Sequence, residues 1–241
     1  MPFYSYYYGF DWSYLYILLP CLILSLWASS RVNSTFKKYS TQISAKQITG
    51  AEAAKQVLLR HGITNVIIQR TSGKLTDHFD PKSNVIRLSD NVYDNASTAA
   101  IGVACHEAGH AVQYATGYAP IKLRAAIIPI TNFGSKLAMP LILIGLLISA
   151  FSAFSDMIIL IGIACFSLSI VFQLVTLPVE FNASRRAMNA IEHGGLLTND
   201  EQRGARKTLQ AAAMTYVAAT AVSVAQLIRL LSLVGRRRRY D

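Results

Sequence analysis

Charge is scarce in this chain. Only 15% of its 241 residues are Asp, Glu, Lys or Arg, against a hydrophobic fraction of 52%. That is too apolar for an ordinary soluble domain and fits a membrane protein with one modest polar domain. Acid is scarcer than base, 13 residues against 23, which leaves a formal charge of +10. Many Lys and Arg flank apolar runs, as in cytoplasmic membrane-adjacent loops, so the excess argues against a nucleic-acid partner. Cysteine is rare as well, at three residues. Cys21, Cys105 and Cys165 are odd in number and far apart, which excludes a disulfide framework and a Cys-type metal site. All three read as core residues. Internal repeats of useful length and low-complexity linkers are missing too.

The first apolar run, Trp12 to Ser29, lacks the basic flank that a cleavable signal peptide carries before it. Arg31, Lys37 and Lys38 follow it instead, so residues 1–30 read as a retained transmembrane anchor. Phe3, Tyr4, Tyr6, Tyr7, Tyr8, Phe10 and Trp12 are residue types that collect at a membrane interface. Positive charge after the run places the N-terminus outside and the following domain in the cytoplasm.

Residues 31–136 carry the polar domain. Thr49-Gly50-Ala51-Glu52 is a capping box that opens a helix ending near His61-Gly62. Three β-like runs follow, Asn65 to Arg70, Lys74 to Phe79 and Asn84 to Ser89, and are expected to form a small antiparallel sheet. The edge is expected at Asn84 to Leu88. Residues 137–177 read as a membrane hairpin of two uncharged spans, ended by Pro178, with Pro120 to Lys136 lying along the membrane surface. Residues 178–208 are polar again, and Thr198 to Glu201 is a second capping box. Residues 209–241 form an apolar helix and a basic tail. Hydropathy allows a fourth span there, while Arg236 to Arg239 would then lie outside, against the charge rule. Arg229 in this helix is expected to snorkel to the interface.

One stretch demands a chemical explanation, Ala104 to Ala111, containing His106-Glu107-Ala108-Gly109-His110. Residues four apart share one face of a helix, so His106 and His110 can present both imidazoles to one point. That spacing suits a zinc ion, and Glu107 stands where it can hold a metal-bound water and act as general base. Asp94, Asn95 and Ser97 offer N-caps before this helix and Gly117 supplies a stop. A catalytic zinc takes three protein ligands and one open position. The remaining candidates are His61, His78, His193 and the few acids. Glu180 is attractive because the hairpin returns it to the same membrane face.

Leu75-Thr76-Asp77-His78-Phe79-Asp80-Pro81, the His106 to His110 motif, the hairpin and Leu177-Pro178-Val179-Glu180-Phe181-Asn182-Ala183-Ser184 together resemble the bacterial YugP-type membrane zinc metallopeptidases. The resemblance covers essentially the whole chain. More distantly, the chain is similar to the HtpX and CAAX-prenyl-protease group. This resemblance implies Zn²⁺ held by His106, His110 and Glu180, with Glu107 as general base. It also implies a bacterial inner-membrane protein acting on protein or peptide substrates. The HtpX-like group carries an Asp four residues beyond its Glu ligand, where this chain has Ser184. A hydroxyl or Asn182 would have to take over the orienting of a ligand His.

The expected architecture is an α+β membrane protein, mostly helical, with three or four transmembrane helices and a small zincin-like domain. A donor to the developing oxyanion is sought among His78, His193, Arg185 and Arg186, with His78 preferred. The competing reading is a non-catalytic membrane chaperone or scaffold with a structural zinc.

Overall fold

The helix that carries His106 and His110, α4 (Thr98–Ala115), forms because its start, its interior and its end are each specified locally. Of the three cap candidates, Ser97 is the one used, its Oγ accepting from Ala100 N at 3.3 Å. Asn95 Oδ1 accepts from Ser97 N at 2.8 Å and turns the chain into the cap. Ile101, Ala104, Cys105, Ala108 and Val112 are fully enclosed. Burial pushes the Cys105 thiol up to about 12, so it is an inert core group. Gly117, at φ 67°, closes the segment. The computed structural model describes residues 14–148 and 154–237. The expected interfacial residues Phe3 to Phe10 and Trp12, and the side chains of Arg236 to Arg239, lie outside the described residues.

Helices α2 (Gly50–Arg60), α6 (Ser155–Gly194) and α7 (Asn199–Arg237) make most of the packing on α4, with the short α3 (Asp90–Tyr93) just before it and α1 (Leu19–Tyr39) touching it more lightly. The α2 capping box is complete, Thr49 Oγ1 accepting from Glu52 N and Glu52 Oε2 from Thr49 N. Its Ala53, Ala54, Val57 and Leu58 share one core with α4 and with Ala187, Ile191 and Ala205 from α6 and α7. Glu201 begins α7 by accepting from Thr198 N at 2.9 Å and ties it to the loop after α1 through Ala45 N at 2.6 Å.

The sheet differs from the expected antiparallel one. Strands β1 (Ile67–Thr71), β2 (His78–Asp80) and β3 (Val85–Ser89) lie in the order β1-β3-β2. The β1–β3 pair is parallel, Ile68 opposite Ile86, and only β2–β3 is antiparallel, Phe79 opposite Ile86. The run at 84–88 is therefore central, not an edge. Val85, Ile86 and Leu88 make a nearly continuous apolar strand buried on both faces, which needs a neighbour on each side. The edges are β1 and the short β2, the latter pinned by Phe79, whose ring meets Tyr114 of α4 edge-on at 5.6 Å.

Helices α5 (Ala119–Leu147) and α6 pack against each other, and both are longer than the apolar runs alone. The basic segment from Pro120 to Lys136 is the first part of α5, and Pro178 lies inside α6 instead of ending it. Prolines inside helices are tolerated more often in membrane helices than in soluble ones. Close packing holds the pair: a Cβ at Gly162 would fall 3.0 Å from Ala138 O. Among the described residues, four helical segments are long and apolar enough to cross a membrane: Leu15–Tyr39, Ala119–Leu147, Ser155–Gly194 and Asn199–Ser232. Arg229 does not snorkel. It is 5% exposed and packed inside the bundle.

Candidate metal centre

The site is made where α4 meets α6. Gly109 allows the approach, because a Cβ there would sit 2.8 Å from Ala183 O. This brings Glu180 against the two histidines from 74 residues away in sequence. Glu180 Oε2 lies 3.2 Å from His106 Nε2 and 3.6 Å from His110 Nε2. The imidazole rings stand nearly perpendicular, at 84°, with centroids 4.7 Å apart. Among the described residues these three form a group whose candidate ligand atoms all lie within 4.8 Å of one another. Glu180, Glu107 and His110 are all buried.

Each histidine is held by its far nitrogen. His110 Nδ1 donates to Gln113 Oε1 at 3.0 Å, and Gln113 Nε2 donates to Val179 O at 2.8 Å and to Asn182 Oδ1 at 3.0 Å. His106 Nδ1 and Ser184 Oγ are hydrogen-bonded at 3.2 Å. With each Nδ1 engaged in this way, the Nε2 atoms are the ones turned toward Glu180. The hydroxyl of Ser184 thus stands where the HtpX-like pattern has a carboxylate. Asn182 acts one step further out, fixing Gln113 and accepting from Arg186 Nε at 2.8 Å. The second carboxylate oxygen of Glu180 accepts from Arg124 of α5 at 3.1 Å, leaving Oε2 to the histidines. Burial lowers the pKa of His110, and the carboxylates of Glu180 and Glu107 raise it by more, so the result lies above its ordinary value. The cluster favours positive charge at its centre.

A cleft opens on this group in two halves. One, of about 280 Å³, runs under β2 and along α5, with His78, Phe79, Tyr114, Ile121, Arg124 and Ile128 in its walls. The other, of about 190 Å³, runs between α1 and α7, past Val32, Leu75, Val103, Leu209 and Ala212. Asp77, His106, Glu107, Glu180 and Tyr216 border both halves. Asp77 accepts from Ser89 N at 2.7 Å and Ser89 Oγ at 3.0 Å, fixing the entry to β2.

Of the four donors considered from the sequence, only His78 borders the cleft. Its Nδ1 is spent on Thr76 O at 2.8 Å. His193 bonds Asn189 O at the exposed end of α6, and Arg185 lines a separate surface groove. His61 is turned back on Val57 O. Gln113, Arg124, Asp77 and Tyr216 were not singled out as site residues by the sequence. A Gln three residues after His110, on the same helix as the two histidines, was the available signal for the first.

The chain from residue 14 to 235 matches the model of a family described as "putative neutral zinc metallopeptidase". The chain belongs to that family. It is also 43% identical over 220 residues to "Putative membrane protease YugP" of Bacillus subtilis (strain 168), covering 91% of this chain and 96% of the relative. No solved structure matches it.

The donor set fits the zinc of this family. Ligands about 2.0–2.1 Å from a tetrahedral zinc lie roughly 3.3–3.4 Å from one another. The two edges to Glu180 Oε2, 3.2 Å and 3.6 Å, bracket that length. Two neutral imidazoles and one carboxylate leave a fourth position for water.

Proposed function

We propose that this chain is an integral membrane zinc metalloendopeptidase with a zincin-like catalytic domain. The observation that carries the reading is the convergence of His106 Nε2, His110 Nε2 and Glu180 Oε2 beside Glu107, beneath the free edge of β2. His106, His110 and Glu180 would hold Zn²⁺, which when bound supplies Lewis acidity and brings the pKa of a water to about 7.

The chain's own groups do the rest. Glu107 takes the proton of the attacking water and returns it to the leaving amine. Burial keeps its carboxylate away from competing solvent. Gln113 and Ser184 hold the imidazoles in the tautomer that offers Nε2. His78 Nε2 faces the oxyanion as it develops and donates to it only from the doubly protonated ring, because Nδ1–H is committed to Thr76 O. The outer edge of β2 holds the substrate as an added strand, so backbone bonds give sequence-tolerant binding.

The walls of the cleft come from α5 on one side and from α1 and α7 on the other, all candidate membrane spans. Juxtamembrane or misfolded membrane segments are therefore the substrate class, and the enzyme belongs in the bacterial inner membrane. Arg31 lies in the later half of α1 and Lys37 and Lys38 in its last turn, Lys122 and Arg124 begin α5, Arg185 and Arg186 lie late in α6, and Arg203, Arg206 and Lys207 begin α7. This concentration at one end supports four spans with the catalytic face cytoplasmic.

A structural zinc would be closed by a fourth protein ligand. Among the described residues the group contains three, which favours the catalytic reading. Glu107→Gln tests it: the protein should keep its zinc and lose peptide hydrolysis. Turnover that survives this change would remove Glu107 from the mechanism. A tethered membrane reporter should be cut better than a soluble casein-like chain, and the reverse preference would discard the substrate class.

A further inference from the structure

A second groove lies on the face of α7 turned away from the metal cluster. It has a volume of about 560 Å³ and is walled by α1 and α7. Arg31 and Lys38 of α1 and Arg203 and Lys207 of α7 line it, together with Trp27 and Met214, and no carboxylate does. Four cations therefore share one concavity. Among the described residues none of the four has an ion-pair partner. The contrast lies on the same helix, where Arg206 is neutralised by Glu192 and points elsewhere.

The groove is also graded along its length. On α1 the apolar run ends at Ser29 and the first cation is Arg31; on α7 Lys207 is the last cation before the apolar stretch from Ala211. The two helices thus change from apolar to cationic at one level, with Trp27, Ala211 and Met214 on the apolar side. From Trp27 to Lys38 the wall spans about 16 Å at 1.5 Å per residue. That length suits a phosphate and glycerol above the start of an acyl chain.

We propose that this groove binds an anionic phospholipid, its phosphate between the α1 and α7 cations and its chain along Trp27 and Met214. Basic pockets between spanning helices hold charged headgroups because the field of several cations adds where water is partly excluded. The site is separate from peptide hydrolysis and stands or falls without it. It requires only that α1 and α7 lie in a bilayer.

The chain has two tryptophans, Trp12 and Trp27. The full-length Trp12→Phe protein therefore reports from the groove alone. It is reconstituted in phosphatidylcholine vesicles containing brominated phosphatidylglycerol or, at equal mole fraction, brominated phosphatidylcholine. The expected result is half-quenching of Trp27 at a mole fraction of phosphatidylglycerol roughly tenfold lower. Arg203→Gln with Lys207→Gln should abolish the preference, and Arg31→Gln with Lys38→Gln should do so independently. Arg206→Gln should leave it intact. Equal quenching by the two lipids, or a preference that survives both double variants, overturns the proposal. Loss of the preference on adding millimolar inorganic phosphate overturns it too, by assigning the groove to a free anion.

Discussion

Gln113 Oε1 stands 3.0 Å from His110 Nδ1, and this contact decides which nitrogen of His110 faces the metal position. The amide cannot turn over, because its Nε2 is donated to Val179 O and Asn182 Oδ1. One side chain therefore joins the orientation of a histidine on α4 to the backbone beside Glu180 on α6. Gln113→Leu should keep the helix and loosen the ligand set. The expected loss is about 10–100-fold in zinc affinity, measured by competition with a chelator while circular dichroism confirms unchanged helicity. Unaltered affinity would show that the α4–α6 packing alone orients His110.

The same packing makes Gly109 sensitive. Gly109→Ala places a Cβ 2.8 Å from the backbone oxygen of Ala183, so α6 has to shift and carries Glu180 with it. Overpacking of this kind costs about 1–3 kcal/mol. Reduced thermal stability should appear together with weakened zinc binding. Ala substituted at Ala108's neighbour Val112, which faces the core and not α6's ligand turn, should lower stability with far less effect on zinc.

Arg124 and Glu180 form a pair whose value depends on the metal. Glu180 is 3% exposed, and its Oε1 has the Arg124 guanidinium at 3.1 Å. A buried carboxylate stripped of a cation is costly, while a bound zinc supplies a replacement positive charge. Arg124→Leu should therefore destabilise the chelator-treated protein more than the zinc-loaded one. Melting temperatures with and without chelator test this, and equal losses in both states would mean that Arg124 acts only through packing.

What was legible in the sequence was local. The Thr49–Glu52 box and the Ser97 cap are interactions within three residues, and both helices begin where those residues say. The two histidines follow from helical spacing. Sheet order was not legible, because β-like runs state which residues are extended and not which strand lies between the others. The unbroken Val85-Ile86 pair with Leu88 was the sign of a central strand. Pro178 does not end α6, because that helix is packed against α4, α5 and α7 along its length. Arg124 and Tyr216 reach the site from α5 and α7, so their roles exist only once the bundle has assembled.

Asp77 gives the site a pH signature. Burial raises its pKa above the ordinary 3.8, more than the hydrogen bonds from Ser89 lower it. The folded protein therefore binds this proton more tightly than the unfolded chain. The associated stability is complete below 3.8 and is lost as the pH rises through the folded value. Asp77→Asn keeps an acceptor for Ser89 and removes the charge. Its unfolding midpoint should decline less than the wild type's over that interval. Parallel pH profiles for the two proteins would contradict the assignment.

His78 is the last group whose role rests on geometry in the cleft. It sits at the start of the edge strand, opposite Arg87 across β2–β3, and borders the same cavity as Glu107. A donor that meets the substrate only as the oxyanion forms contributes to kcat and little to KM. Removal of such a donor costs about 10²–10³ in kcat. His78→Ala should show that loss with KM nearly unchanged and zinc content intact, since His78 is outside the three-residue group. Tyr216→Phe is the comparison, because Tyr216 borders both halves of the cleft and also carries a donor. If His78→Ala leaves kcat untouched while Tyr216→Phe lowers it, the oxyanion donor comes from α7 and not from the sheet. If His78→Ala instead raises KM alone, the residue holds the substrate strand in place, and the edge of β2 is a binding element without a part in the chemical step.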